Sequence, residues 1–357
     1  MSSLNIPAKS ETPSESPSLS ISSPKAKKVF QDQHVFINQL RTEANISFLF
    51  GSFLLLLWTG YLSGLHNFSF LKLFFNLSYR SNHNPDIFYN GYDDIYFIIQ
   101  LTLHLIFLRA SFAKYVGLPL SQFLKINAIG TQIRFSEQLW GVFLSTYAFS
   151  FGSVLIYLYP QFLRFNTAWA TYPLLEQPTL VKIYYLHQIS FWLCSALYLF
   201  VEKRRSDFFA MILHHSGTLF LMIGSYFTNF QAMGIIIHFI MDFSDICLPF
   251  TKILHYLKLE DICNISFVFT AITWILTRQF GLIRVIYSAA FEAHHYRPYE
   301  FNPKNGVYAT KTLQYSFVGI LVMLEILCLY WLSSIIRLIT DVIYGRTIRD
   351  VRSDEDE

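Results

Sequence analysis

Eight stretches, each of about 20 mostly apolar residues, recur along the chain, and this is the length a helix needs to cross the hydrocarbon of a bilayer. They run from Ser47 to Leu65, Ile95 to Ala113, Leu139 to Leu158, Ile183 to Val201, Phe208 to Tyr226, Met233 to Phe250, Ile265 to Ile283 and Phe317 to Ile336. One water-soluble core cannot bury that many. Charged residues make up only 14% of the 357 residues, whereas soluble chains carry about 25%. The expected fold is therefore all-α: a polytopic membrane bundle of about eight transmembrane helices, or seven if the first stretch is miscounted. No segment shows the ten-residue alternation of an outer-membrane barrel.

The remaining composition excludes several function classes. Cys194, Cys247, Cys263 and Cys328 are far apart, so they form neither a CxxC metal site nor a secreted disulfide framework. A net charge of +3 without a basic patch gives no basis for nucleic-acid binding. Residues 1–45 read as a disordered tail, because Ser and Pro crowd Ser10 to Pro24 and Lys25, Lys27 and Lys28 follow. Residues 46–130 hold two spans and a linker, 131–340 the main membrane unit, and 341–357 an acidic tail. The first apolar run starts too late and is too long for a cleaved signal peptide. Lys and Arg fall on the N-terminal side about twice as often as on the other, which predicts that both termini are cytosolic. Two sequons, Asn67 and Asn76, then fall in the first lumenal loop.

Ionisable residues inside lipid spans are costly without partners, so they point to a site. His214 and His215 lie in the fifth window; Asp242 and Asp245 lie in the sixth at i,i+3. His238 precedes Asp242 by four residues, which puts all three on one helix face. A short turn near Asn229 joins the two windows, and both pairs lie roughly 20 to 24 Å from it at the helical rise. Antiparallel neighbours would then hold two imidazoles and two carboxylates at one depth. A single residue such as His104 or His187 is equally well read as an interhelical hydrogen bond, and His294 and His295, beside Arg297, read as a solvated loop.

Imidazole can take a proton from a nucleophile or attack an activated acyl group itself, and a carboxylate can fix its tautomer. A di-iron site would need clustered HxxxH or HxxHH boxes, and the sequence has none. Adjacent His residues also point about 100° apart on a helix, which suits a shared metal poorly. Metal binding by His238, Asp242 and a residue of the fifth window stays open as an alternative, although no resident metal is expected.

At these residues the sequence resembles the TLC-domain membrane proteins, and within them the ceramide synthases, or sphingosine N-acyltransferases. The central motif is Asp207, Phe208, Met211, His214, His215, then Ser225 and Tyr226, then Asp242 and Asp245. Arg134, Phe135, Glu137 and Trp140 resemble the start of the domain. Trp169, Tyr172, Pro173, Lys182, Tyr184, Tyr185, Leu186, Gln188, Phe191 and Trp192 resemble a second block. Trp274 with Arg278, and Tyr330 with Trp331, match later spans, while Tyr89, Gly91 and Asp94 give a fainter pattern. Arg352, Ser353, Asp354 and Glu355 resemble the acidic end of ceramide synthases. One departure is Met241, where many animal members have His before the first Asp.

The resemblance implies a TLC catalytic domain over 131–340 in a multi-pass endoplasmic reticulum protein. It implies acyl transfer from fatty acyl-CoA, a co-substrate, to the amine of a sphingoid base, with no tightly bound cofactor. His214, His215, Asp242 and Asp245 would be catalytic, and His238, Trp192 and Arg278 would contact substrate. Arg204 and Arg205 would meet the CoA phosphates, although basic residues there also follow from the positive-inside rule. Implied partners are membrane lipids, a homo- or hetero-oligomer, a regulatory subunit and a kinase acting on Ser353. The rival reading is a noncatalytic TLC-domain protein that regulates lipids or works beside the translocon.

Overall fold

A computed structural model gives the structure of residues 24–63, 69–202 and 204–344. Most of the Ser/Pro-rich tail, Asn67, Lys203 and the acidic end with Ser353 lie outside the described residues. In chain order the helices are α1 (Pro24–Leu62), α2 (Ser69–Phe75), α3 (Asp94–Phe112), α4 (Leu118–Phe123), α5 (Ile129–Leu158), α6 (Phe165–Ala170), α7 (Thr179–Tyr198), α8 (Phe208–Phe227), α9 (Gln231–Tyr256), α10 (Glu260–Trp274), α11 (Leu282–Tyr287), α12 (Ala293–Tyr296) and α13 (Lys311–Ile343). The fold is an all-α membrane bundle.

Among the described residues, seven helical runs are long and apolar enough to cross a membrane. The first window is one of them; the window that falls short is the fourth, now α7. Its 20 residues include Lys182, Tyr184, Tyr185, His187, Gln188 and Ser190, all buried. These polar groups lower its hydropathy but face protein, because α7 packs between α3 and α8. A second correction concerns residues 24–45, expected in the disordered tail but part of α1. Pro24 suits the first helical position, where its missing N–H costs nothing, and no Gly or Pro interrupts the chain from Lys25 to Phe50.

The long α9 organises the bundle, packing along α5 on one side and α10 on another. The central core joins Leu155 of α5, Tyr184, Tyr185 and Leu186 of α7, Ile235 and Ile236 of α9, and Val285 of α11. Among the described residues, three π-helical segments interrupt the helices: Ala113–Gly117, Ile275–Gly281 and Ser288–Glu292. The last two fall in one continuous run, Glu260–Tyr296. The extra residue in such a turn re-aims the side chains around it, and π turns recur at functional sites.

One end of the bundle is closed by two small antiparallel ladders. β1 (Ile87–Phe88) pairs with β2 (Gln177–Pro178), and β3 (Glu300–Asn302) pairs with β4 (Val307–Ala309). Gly306, in the β3–β4 turn, has φ +68°, a conformation that L side chains resist. Asn229, at the α8–α9 turn, has φ 65°, which Asn tolerates better than most residues. Its Nδ2 donates to Gly306 O at 2.8 Å, and its Oδ1 accepts from Asn90 Nδ2 at 3.0 Å. The turn expected near Asn229 is thus tied to both neighbouring loops.

Candidate active site

Between α8 and α9 lies a cavity of about 1350 Å³, including its open mouth. Its wall on α8 includes His214, Thr218 and Ser225; that on α9 includes Gly234, His238 and Met241. α13 closes a third side with Phe317, Leu321 and Cys328, and Trp192 and Arg278 stand at the inner end. At the outer end are Trp169, Tyr172, His294, Arg297 and Tyr299. His294 and Arg297, read from sequence as solvated loop, therefore border the mouth. There Tyr172 stacks on Phe230 at 4.0 Å and accepts from Tyr308 N at 2.7 Å. Burial pushes its phenol up to about 12.

The inner end is an aromatic floor built around His214. Its ring centroid lies 5.4 Å from those of both Trp192 and Trp331 and 5.7 Å from that of His215. His215 is turned away from the cavity and also packs on Trp192, at 5.3 Å. Trp331 Nε1 donates to Asp207 Oδ2 at 3.0 Å, so the Asp that opens the central motif fixes a wall of the His214 pocket. Nδ1 of His214, Nδ1 of His215 and Nε1 of Trp192 are buried without a hydrogen-bond partner among the described residues. Each such group costs about 1–3 kcal/mol, and three clustered ones mark a floor shaped for something other than stability.

The sequence predicts direct pairing of the imidazoles with Asp242 and Asp245, and the structure arranges them differently. Neither imidazole hydrogen-bonds either carboxylate among the described residues, because the cavity separates α8 from α9 along this length. Asp242 Oδ2 instead accepts from Gln188 Nε2 at 2.9 Å, and Gln188 also reaches Tyr184 Oη at 3.1 Å. Asp245 Oδ1 forms a short ion pair with Arg278 Nη2. Arg278 Nε donates to Ser244 Oγ at 3.1 Å, and the guanidinium lies 5.4 Å from the Trp274 ring centroid. Each carboxylate thus holds a polar residue from another helix: Gln188 from α7 and Arg278 from the π turn.

The other candidates divide. Trp192 and Arg278 line the cavity at its floor, and His238 lines it farther out, 6.2 Å from the Tyr185 ring. Tyr185 Oη hydrogen-bonds Ser225 Oγ, which joins the second block of the sequence to the central motif. Arg204 and Arg205 do not line the cavity. Arg204 stacks on Phe208 at 4.9 Å, and Arg205 pairs with Glu137 at 3.0 Å and Glu202 at 3.4 Å. Arg205 is therefore occupied by carboxylates that an extended loop would not have offered. His104 has the interhelical role allowed for it: its Nε2 accepts from Trp58 Nε1 at 3.1 Å. Among the described residues no group of three His, Cys, Asp or Glu converges in a way that could hold a metal ion.

Gln188 and Ser244 were missed as site residues. Both are uncharged, and the signal available was the placing of Gln188 four residues after Tyr184, on one face of α7.

A family model for the TLC domain matches residues 134–337, more than half of the chain. The ceramide synthase LAG1 of Saccharomyces cerevisiae is 32% identical over 290 residues, 80% of this chain and 70% of the yeast protein. The ceramide synthase FUM18 of Gibberella moniliformis is 26% identical over 291 residues, covering 74% and 68%. The sphingosine N-acyltransferase lag1 of Schizosaccharomyces pombe is 32% identical over 234 residues, covering 63% and 58%. His214 and Arg278 of the cavity, and His215, Asp242 and Asp245 behind its walls, all fall inside the matched region, and the chain belongs to the TLC-domain family.

Proposed function

We propose that this protein is a ceramide synthase that transfers a fatty acyl group from acyl-CoA to the primary amine of a sphingoid base. One observation carries this reading: an elongated, mostly apolar cavity ends on His214. From Gln314 to Cys328, both cavity-lining, α13 advances about 21 Å at the helical rise. A fully extended chain gains ~1.2 Å per bond, so the cavity takes an alkyl chain of about 17 bonds. The acyl chain lies along the cavity with its carbonyl at His214, and CoA projects toward the end that carries Arg204 and Arg205.

Two routes fit a half-buried imidazole at that carbonyl. As a base, His214 takes a proton from the amine while nitrogen attacks the thioester carbon. As a nucleophile, it forms an acyl-imidazole that the amine then opens. Either way a C–N bond replaces the C–S bond, and the proton released by the amine leaves with the thiolate. His215 braces His214 through Trp192, while Asp242 acts through Gln188. No resident cofactor is needed. The similarity to proteins named ceramide synthase and sphingosine N-acyltransferase supports the same reading, the membrane bundle supports a multi-pass protein, and the proposed setting is the endoplasmic reticulum with both termini cytosolic.

The test is to supply purified protein with a long-chain acyl-CoA and sphinganine. The expected result is N-acyl sphinganine and free CoA in equal amounts. Binding of both lipids without product would instead favour a noncatalytic TLC-domain protein.

A further inference from the structure

We propose that Arg278 is a catalytic residue whose guanidinium donates to the carbonyl oxygen of the reacting acyl group, and that Asp245 and Ser244 are the positioning residues that aim it. This rests on the acyl-transfer reading above.

A guanidinium carries five N–H donors in a planar fork. In Arg278, Nε is used by Ser244 Oγ, and Nη2 by Asp245 Oδ1 and, at 3.5 Å, by Met241 O. Nη1 meets no acceptor among the described residues. Arg278 is only 6% exposed, yet it lines the cavity. A fixed cation with one edge not taken by a protein acceptor thus stands in the lining of the cavity. The remaining contacts set it against the floor: Arg278 lies over Trp274, Trp274 meets Trp331 at 6.5 Å, and Trp331 meets His214 at 5.4 Å. Arg278 sits within the π segment Ile275–Gly281, the kind of local irregularity that aims a side chain.

A purely structural cross-link between the π turn and α9 would have no use for a vacant donor edge. Burying a guanidinium with one carboxylate and part of its donors unmatched is poor economy for stability, since desolvation outweighs the attraction unless the remaining donors are satisfied. A substrate oxygen supplies the missing acceptor. As nitrogen bonds to the carbonyl carbon, the C=O π pair moves onto oxygen, and negative charge grows where Nη1 points. The pair then returns, the C–S bond breaks with its electrons on sulfur, and the proton held by His214 goes to the thiolate. Arg278 stays protonated throughout. Donors fixed before the reaction stabilise that charge without reorganising.

Wild type, Arg278→Gln, Arg278→Ala and Ser244→Ala are purified, and their kcat and KM compared with acyl-CoA and sphinganine. Arg278→Gln should lower kcat by about 10²–10³-fold, the usual effect of losing one such donor, with both KM values within about threefold. Adding guanidinium should restore part of the Arg278→Ala rate, and an equal concentration of ammonium should not. Ser244→Ala, which keeps the ion pair, should lower kcat by about 5–10-fold and serves if the Arg278 variants do not fold. If wild type acylates sphinganine and Arg278→Gln retains its kcat, or loses only KM, the inference is overturned while the acyl-transfer reading stands. If wild type makes no product, both fail.

Discussion

Lys182 Nζ lies 2.8 Å from Asp94 Oδ1, with both side chains withdrawn from solvent. Asp94 Oδ2 also accepts from Tyr226 Oη at 2.7 Å and from Gly91 N at 3.0 Å, and Lys182 donates to Ser78 O and Tyr89 O. One ion pair thereby ties α3, α7, the end of α8 and the loop before α3. Removing either partner leaves the other charged and buried, at a cost of about 3–5 kcal/mol. Lys182→Ala and Asp94→Ala should each lower the melting temperature in detergent sharply. The double variant that combines Lys182→Met with Asp94→Leu should lower it less, because no charge is then left without its partner.

Trp331→Phe keeps an aromatic ring against His214 but leaves Asp207 without the indole donor. A buried hydrogen bond to a charged group is worth about 1.5–3 kcal/mol, and the wall of the His214 pocket loses its anchor. The variant should stay folded with a reduced kcat and little change in acyl-CoA binding. Steady-state kinetics beside equilibrium binding would check both.

Gly234 leaves room for Tyr185 at the cavity wall. A Cβ there would stand 2.8 Å from Tyr185 Cε2, so the ring must move and its bond to Ser225 must loosen. Overpacking of this kind costs about 1–3 kcal/mol. Gly234→Ala should lower stability by that amount and disfavour the longest acyl chains, as read from product profiles over a panel of acyl-CoA lengths.

The site was legible where one helix carries the signal and illegible where the partner lies on another. The depth of His214 and Asp242 followed from their distance to the Asn229 turn. What fills the space between them did not, because Gln188 and Arg278 arrive from helices 54 and 33 residues away. Lys182 fell just outside the fourth apolar window, which begins at Ile183, because hydropathy does not reveal a partner as distant as Asp94. α7 looked like an ordinary span although its polar face is enclosed by protein. The beginning of α1 at Pro24 was hidden by a composition that reads as tail until the absence of helix breakers after it is noted.

Tyr172 carries the pH prediction. Its phenol is raised by burial from 10.0 to about 12, so the folded state stays neutral where the unfolded chain ionises. Folded protein then binds more protons between those values, and stability falls as pH rises from about 10 to 12. Tyr172→Phe should show a shallower decline over that interval, measured as melting temperature against pH.

The central claim is that acyl transfer occurs at His214. The most direct measurement is N-acyl sphinganine formation by purified His214→Ala beside wild type, with both shown to be folded and to bind acyl-CoA. Product from wild type and a loss of about 10³-fold or more in the variant is the expected result for a base or nucleophile at the reacting carbon. An undiminished rate in His214→Ala would contradict it.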